Sequence, residues 1–262
     1  LRRSRGLGDV YKRQAYSLGD HLGTVAIGFQ ALADTNQPST NGATVAVGKN
    51  AGYASSFVAP SVIIGEDAAA GASGYYSIGD DETSAAGSSS NHMVAIGYRA
   101  AQNSSGVSST NGGIYLGYNA GSNSKNAGTS NFIGYQAGYF ASGSATLWSN
   151  NILGNYAGMN IAGSTYSNYV GYFAGTYAAN VVYSTMIGTN AGRDADGVDY
   201  SNAIGYDAGN LASGCDYSNL IGYQAGYGSH NLQYSTVMGQ YAGRDASGCN
   251  YNTMIGHHAG RY

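Results

Sequence analysis

A motif of an aliphatic residue or Met followed by Gly recurs along this chain, with its glycine at 28, 48, 65, 79, 97, 117, 134, 154, 171, 188, 205, 222, 239 and 256. The last seven glycines stand at six consecutive intervals of 17 residues. A period this short excludes helical repeats and propeller blades, whose units are roughly twice as long or more. Seventeen residues suffice for two short strands and two turns, one coil of a parallel β-solenoid. The predicted fold is therefore all-β, a solenoid of about 14 coils stacked at ~4.8 Å into a rod of roughly 65 Å. The 20-residue intervals read as three-residue insertions at turns, because an odd shift within a strand reverses every side chain.

Composition agrees with an array of short turns. The chain has 42 glycines among 262 residues, 10% charged residues, and 25 tyrosines beside one tryptophan. Two prolines exclude collagen, and 43% hydrophobic residues argue against simple disorder. No apolar run reaches the ~18 residues of a membrane-spanning helix. Residues 1–14 (LRRSRGLGDVYKRQ) share nothing with the repeat and resemble a translated sequencing adaptor. Setting them aside leaves 15–262 as a single repeat domain with six basic and thirteen acidic residues, a net charge near −7. Such a surface offers no basic patch to nucleic acid.

Directly before every glycine stands an aliphatic residue or Met, from Ile27 to Ile255, and this constant row is expected to form the core. Ala occupies the third position after the glycine in all copies but one, which implies a narrow interior; the exception, Glu82, lies beside Asp80 and Asp81 and predicts a local break. Strand alternation puts the position two before the glycine on the opposite face. That position holds Ile63, Tyr115, Phe132, Ile152, Tyr169, Met186, Leu220, Val237 and Met254, and is expected to point outward as an oligomer interface. A parallel homotrimer is the first choice and a filament the second. On this reading Ile204→Asp opens the core, whereas Phe132→Asp separates chains and leaves the coils folded. The third position before the glycine changes from Val (25, 45, 62, 94) to Asn or Thr from Asn131 onward. Two residues earlier runs a tyrosine column, Tyr166 to Tyr251. Ladders of Asn and of aromatic rings hold stacked strands in register.

VAIG (25–28), VAVG (45–48), VIIG (62–65) and VAIG (94–97), each with Ala three residues on, resemble head repeats of YadA-like trimeric autotransporter adhesins. NFIGYQAGYFASG (131–143) and SNLIGYQAGYGS (218–229) resemble IGYQAG repeats of phage tail-fibre-like proteins. The resemblance implies a left-handed β-roll, three chains packed side by side, and a place outside the cell, at its surface or on a virion.

Residues that carry chemistry are scattered. Ile204–Gly209 fits one hexapeptide of the left-handed-helix acyltransferases, which need about three per coil and a catalytic His. His21, His92, His230, His257 and His258 fall in different columns apart from the adjacent pair, and Asp80–Glu82 lacks the spacing of a calcium repeat. Arg193-Asp194 and Arg244-Asp245 occupy equivalent places and read as turn chemistry. No catalytic, cofactor or metal site is expected. Cys215 and Cys249 share a column two coils apart, ~9.6 Å, too far for an undistorted disulfide, so they are free or paired between chains. Asn103 opens the one glycosylation sequon, and Ser88–Ser90 and Ser104–Thr110 offer sites for O-linked sugars. The insertions near 34–42, 102–112 and 122–130 are expected to supply any host receptor or glycan contact. The function expected is that of a non-catalytic structural protein, an extracellular fibre or adhesin shaft. The alternatives are a phage tail-fibre shaft, an ice-binding solenoid and a hexapeptide acyltransferase. Ice binding needs a flat, exposed Thr ladder, and the mixed Asn/Thr column, expected on the inner face, is poorly suited to that.

Overall fold

A computed structural model describes residues 25–33, 45–54, 56–58, 62–71, 73–76, 93–104, 113–125, 130–142 and 149–261. Among these there is no helix, and fifteen short parallel strands form two sheets. The large sheet contains β1 (Val25–Ile27), β2 (Val45–Val47), β4 (Val62–Ile64), β6 (Met93–Ile96), β7 (Gly113–Leu116), β8 (Asn131–Ile133) and β9 (Asn151–Leu153). It continues through β10 (Asn168–Val170), β11 (Thr185–Ile187), β12 (Asn202–Ile204), β13 (Asn219–Ile221), β14 (Thr236–Met238) and β15 (Thr253–Ile255). These thirteen strands pair in chain order, each motif aligned with the next: Asn202 faces Asn219, Ala203 faces Leu220, Ile204 faces Ile221. The fold is thus the predicted β-solenoid with a period near 17.

Fourteen motif glycines give thirteen rungs in this sheet. β4 pairs directly with β6, Val62 opposite Val94, so the copy around Gly79 adds no rung between them. The intervening chain contributes β5 (Ser73–Tyr76), which pairs with β3 (Ser56–Val58) in a separate two-stranded sheet. Gly79 itself and the acidic trio Asp80–Glu82 lie outside the described residues.

Among the described residues the coils from β6 onward hold one strand of three or four residues each, not two of four or five; those that begin with β2 and β4 add β3 and β5. Opposite the strand, coils touch through single parallel bridges, such as Ala179 to Asp196 to Ser213 to His230. The rest of the coil is turn, because residues with left-handed backbone recur through it: Tyr200, Asp207, Gly209, Leu211 and Gly214 all have φ between 53° and 61°. Their amides remain paired from coil to coil. Asp207 and Leu211 donate to the preceding coil (Thr189 O and Arg193 O), while Gly209 donates to the following one (Ala225 O), all at 2.9 Å. Irregular backbone can therefore stack as a ladder without orphaned groups.

The motif glycine ends the strand with φ near 135° and packs against the glycine of the next coil. A Cβ on Gly222 would lie 2.6 Å from the Gly239 carbonyl oxygen, so this position requires glycine for both dihedral and space. The second glycine of the motif makes room for a side chain inside the coil. A Cβ on Gly226 would meet the Leu220 methyls at 2.8 Å. Where the facing residue is only Ala, as at Ala26 and Ala95, the same place holds Leu32 and Ala101, both fully buried.

The interior corrects the assignment of strand faces. The row two before the glycine points inward: Ile63, Tyr115, Phe132, Ile152, Tyr169, Met186, Leu220, Val237 and Met254 are all buried within one chain. The row directly before the glycine points outward, and Ile204 is 36% exposed where its neighbour Ala203 is 1% exposed. Alternation shows only that the two rows oppose each other. What decides between them is the rest of the coil, since the inward Ala rows and the second glycine face the position two before the motif glycine. A constant β-branched row arises because such residues stack well on like residues across paired strands. Constancy reflected ladder pairing and not burial. The expected roles of Ile204 and Phe132 are accordingly exchanged.

The core also contains a polar row. Ser167, Ser184, Ser201, Ser218 and Ser235 are buried one per coil. The Ser201 hydroxyl proton is shared between the carbonyls of Cys215 (2.7 Å) and Asp199 (2.8 Å), and its oxygen accepts the Ser218 amide at 2.9 Å. The same arrangement repeats from Ser184 and Ser235. Each serine thus ties its own coil shut and joins it to the next.

Candidate interaction face

Reversing the strand faces creates a different outer surface. Four positions of each coil point outward along the sheet side. They are the tyrosine column, the Asn/Thr row, the aliphatic row, and the residue after the glycine. From β8 to β15 these four rows hold no Asp, Glu, Lys or Arg. The charged side chains of those coils stand elsewhere, at Arg193, Asp194, Asp196, Asp199, Asp207, Asp216, Arg244, Asp245 and Arg261.

The rows are locked into register by side-chain ladders. In the Asn/Thr row, Asn131 donates its amide to Asn151 Oδ1 (2.8 Å), Asn151 donates to Asn168 (2.9 Å), and Asn202 to Asn219 (2.9 Å). Each amide in such a chain keeps a second N–H and a lone pair for another partner. The rings of Tyr166, Tyr183, Tyr200, Tyr217, Tyr234 and Tyr251 stack in sequence at centroid separations of 4.8–5.0 Å, with planes within 18° of parallel. Each ring is about half exposed, except Tyr251 at 77%. On the other flank Tyr98, Tyr118 and Tyr135 stack at 4.9 Å, and Tyr206 and Tyr223 at 5.2 Å. Partial desolvation and neighbouring phenols and carboxylates raise the Tyr217 and Tyr223 hydroxyls above the usual tyrosine range. A charged pair interrupts the flank only near the start, where Lys49 Nζ meets Glu66 Oε1 at 2.8 Å.

From β9 to β15, seven residues of width and seven rungs of length make an uncharged face of ~20 Å by ~30 Å, on the order of 600 Å². Soluble monomers rarely expose apolar patches beyond a few hundred Å². The outward placement of the Asn/Thr row also reverses the expectation that it lies inside.

The remaining candidate residues do not converge. Cys215 points into the core, its thiol donating toward the Ser213 carbonyl at 3.5 Å, and burial raises its pKa. It is free and closed off from a partner chain; Cys249, also free, is partly buried against the same core. Desolvation, with the charges of His257, Arg261 and Arg244, lowers the His258 pKa, and His230 is exposed on the opposite side of the coil; His21 and His92 lie outside the described residues. Among the described residues no three His, Cys, Asp or Glu side chains cluster as metal ligands. Arg193–Asp194 and Arg244–Asp245 form equivalent ion pairs at 3.3 and 3.4 Å, each arginine lying over a ring, Phe173 and Tyr227. Within Ile204–Gly209 the Asp207 carboxylate accepts from Asn190, Asn210 and Gln224, a ladder contact across coils. Asn103 is exposed and donates to Asn123 Oδ1 at 3.3 Å, while Ser105 of its sequon, Ser88–Ser90, and the greater part of the three long insertions lie outside the described residues. The serine row was missed by sequence reading, although its strict position beside each tyrosine was the available signal. No helix among the described residues is long and apolar enough to cross a membrane. No protein-family model matches the chain, and no curated protein matches it.

Proposed function

We propose that this chain is a non-catalytic structural subunit of an extracellular or cell-surface fibre or adhesin shaft, assembled by self-association of its uncharged outer face. The observation that carries the reading is the segregation of charge: the outer rows from β8 onward are neutral, while the acidic and basic side chains occupy the other sides. Two such faces meet without burying an unpaired charge, and each offers on the order of 600 Å² from β9 to β15, the same order as the ~800 Å² per partner of a standard stable interface. The mechanism is mechanical, since stability in a stacked array grows with the number of coils and their interfaces. A homotrimer and a continuous filament are both compatible with this face, and surface insertions would supply any receptor or glycan contact. A phage tail-fibre shaft would use the same face on a virion.

Sedimentation velocity and electron microscopy test the reading. The expected result is a trimer or longer rod that falls to folded monomers on Ile204→Glu with Ile221→Glu. A wild-type chain that stays monomeric at tens of micromolar contradicts it. The outward Asn and Thr row supports a second reading, an ice-binding solenoid. Thermal hysteresis in a freezing assay would favour that one, and its absence would remove it.

A further inference from the structure

The six stacked tyrosines raise a chemical question that assembly alone does not answer. Large exposed rings at every coil from Tyr166 to Tyr251 place phenols in an unbroken row at 4.8–5.0 Å centre to centre. Their edges and hydroxyls face solvent, since each ring is 45% exposed or more. We propose that this row is an oxidative cross-linking site, in which an oxidising equivalent taken up at any ring moves along the ladder and ends in a tyrosine–tyrosine bond between two copies of the chain. The inference rests on the self-association proposed above, which brings two such rows together.

The chemistry balances with hydrogen peroxide as oxidant. Each of two phenols loses one electron and one proton, giving two phenoxyl radicals, and the two electrons and two protons reduce one peroxide to two waters. The radicals join through ring carbons ortho to oxygen, and the displaced ring hydrogens return to the oxygens to restore both phenols. The ladder matters at the step between. Electron exchange between a phenoxyl and a neighbouring tyrosine is nearly thermoneutral because donor and acceptor are alike, and rings about 5 Å apart exchange far faster than isolated rings. The phenolic proton leaves and returns through water, which the exposed hydroxyls contact. A radical formed on Tyr166 therefore reaches whichever ring of the row meets a radical on the partner.

Three chains are compared after treatment with a haem peroxidase and hydrogen peroxide. They are the wild type, a variant with all six tyrosines changed to Phe, and Tyr200→Phe with Tyr217→Phe. Phenylalanine keeps the ring stack, and circular dichroism verifies that the coils remain. Association is measured first by sedimentation. Covalent dimers are then counted on denaturing gels, and the joined peptides are mapped by mass spectrometry. Expected are wild-type dimers joined within the Tyr166–Tyr251 row and at least a tenfold loss in the six-fold variant. With four of six rings left on each copy, independent rings would lose about five-ninths of the dimers, and the double variant should lose well over that. A monomeric wild type defeats the assembly reading and this proposal with it. An assembled wild type whose bonds map to Tyr206 or Tyr223, or whose yield survives all six substitutions, overturns this proposal alone. A loss of about five-ninths or less in the double variant overturns the relay.

Discussion

The rungs from β1 to β6 and those from β10 to β15 share one backbone but fill it differently. In the first group the outer strand face is Val and Ile, and the inner row is Ala26, Ala46, Ile63 and Ala95, faced across the coil by Leu32, Gly52, Ala69 and Ala101. In the second group the inner row carries Tyr169, Met186, Leu220 and Val237, the facing position is always Gly, and the outer face is Asn or Thr flanked by tyrosine. The difference teaches that the coil fixes volume and backbone, not residue type. Bulk moves from one side of the interior to the other, and what the outer face presents can change without altering the register. Among the described residues the later rungs carry a buried serine row, amide chains and stacked rings, while the earlier ones carry aliphatic outer rows with an Asn50–Asp67 hydrogen bond at 2.9 Å and the Lys49–Glu66 pair.

The sharpest way to break the comparison is to put a charge on the inner row. Phe132→Asp buries a carboxylate with no partner, and we expect a loss above ~4 kcal/mol with no folded baseline in thermal or urea unfolding. The same change on the outer row, Ile204→Asp, is expected to cost under about 1 kcal/mol in a chain kept monomeric, since the residue already meets water. Next in size is Gly222→Ala, which combines a disfavoured φ with a backbone collision. A loss of roughly 2–3 kcal/mol in chemical denaturation is expected. Ser201→Ala leaves the Cys215 carbonyl and the Ser218 amide without their partner and should cost about 1–3 kcal/mol. The substitution tests whether the polar row holds the later rungs.

The smallest effect comes from Asp199. Burial raises its pKa above the ordinary carboxylate value, against a hydrogen bond from the Val182 amide at 2.8 Å that acts the other way. A carboxyl whose folded pKa lies above its unfolded one binds more protons in the folded state. Its ionised form therefore opposes folding, and stability falls as pH rises from the unfolded pKa through the folded one. Asn250, in the same column, accepts the Gln233 amide without charge. Asp199→Asn should accordingly raise stability at neutral pH by less than about 1 kcal/mol, solvent screening included, with the gain vanishing in acid. Unfolding midpoints across pH check it.

Much of this molecule was legible in its sequence. The period gave the solenoid and its register, the Ala column gave the narrow interior, and the Tyr and Asn columns gave ladders that pair at hydrogen-bonding and stacking distance. The direction of the strand faces was not legible from alternation, which is symmetric between the two rows. The signal that breaks the symmetry lies six residues away, where Gly follows each large inner residue from Tyr115 onward and Leu32 follows Ala26. Counting motif copies misled at Gly79, because β4 and β6 pair across it. The candidate interaction face follows the strand faces, so the columns are right but three of them, the aliphatic row, the row two before the glycine and the Asn/Thr row, lie on the opposite sides.

Methionine oxidation tests the inward and outward assignment most directly, because the two rows each contain the residue. Met186 lies in the inner row, 1% exposed, and Met238 in the outer row, 38% exposed. Peroxide oxidation followed by peptide mass spectrometry, on the chain kept apart by Ile204→Glu and Ile221→Glu, reads both in one sample. The account predicts that Met238 is oxidised at least tenfold faster than Met186. Equal rates, or a faster Met186, would contradict it.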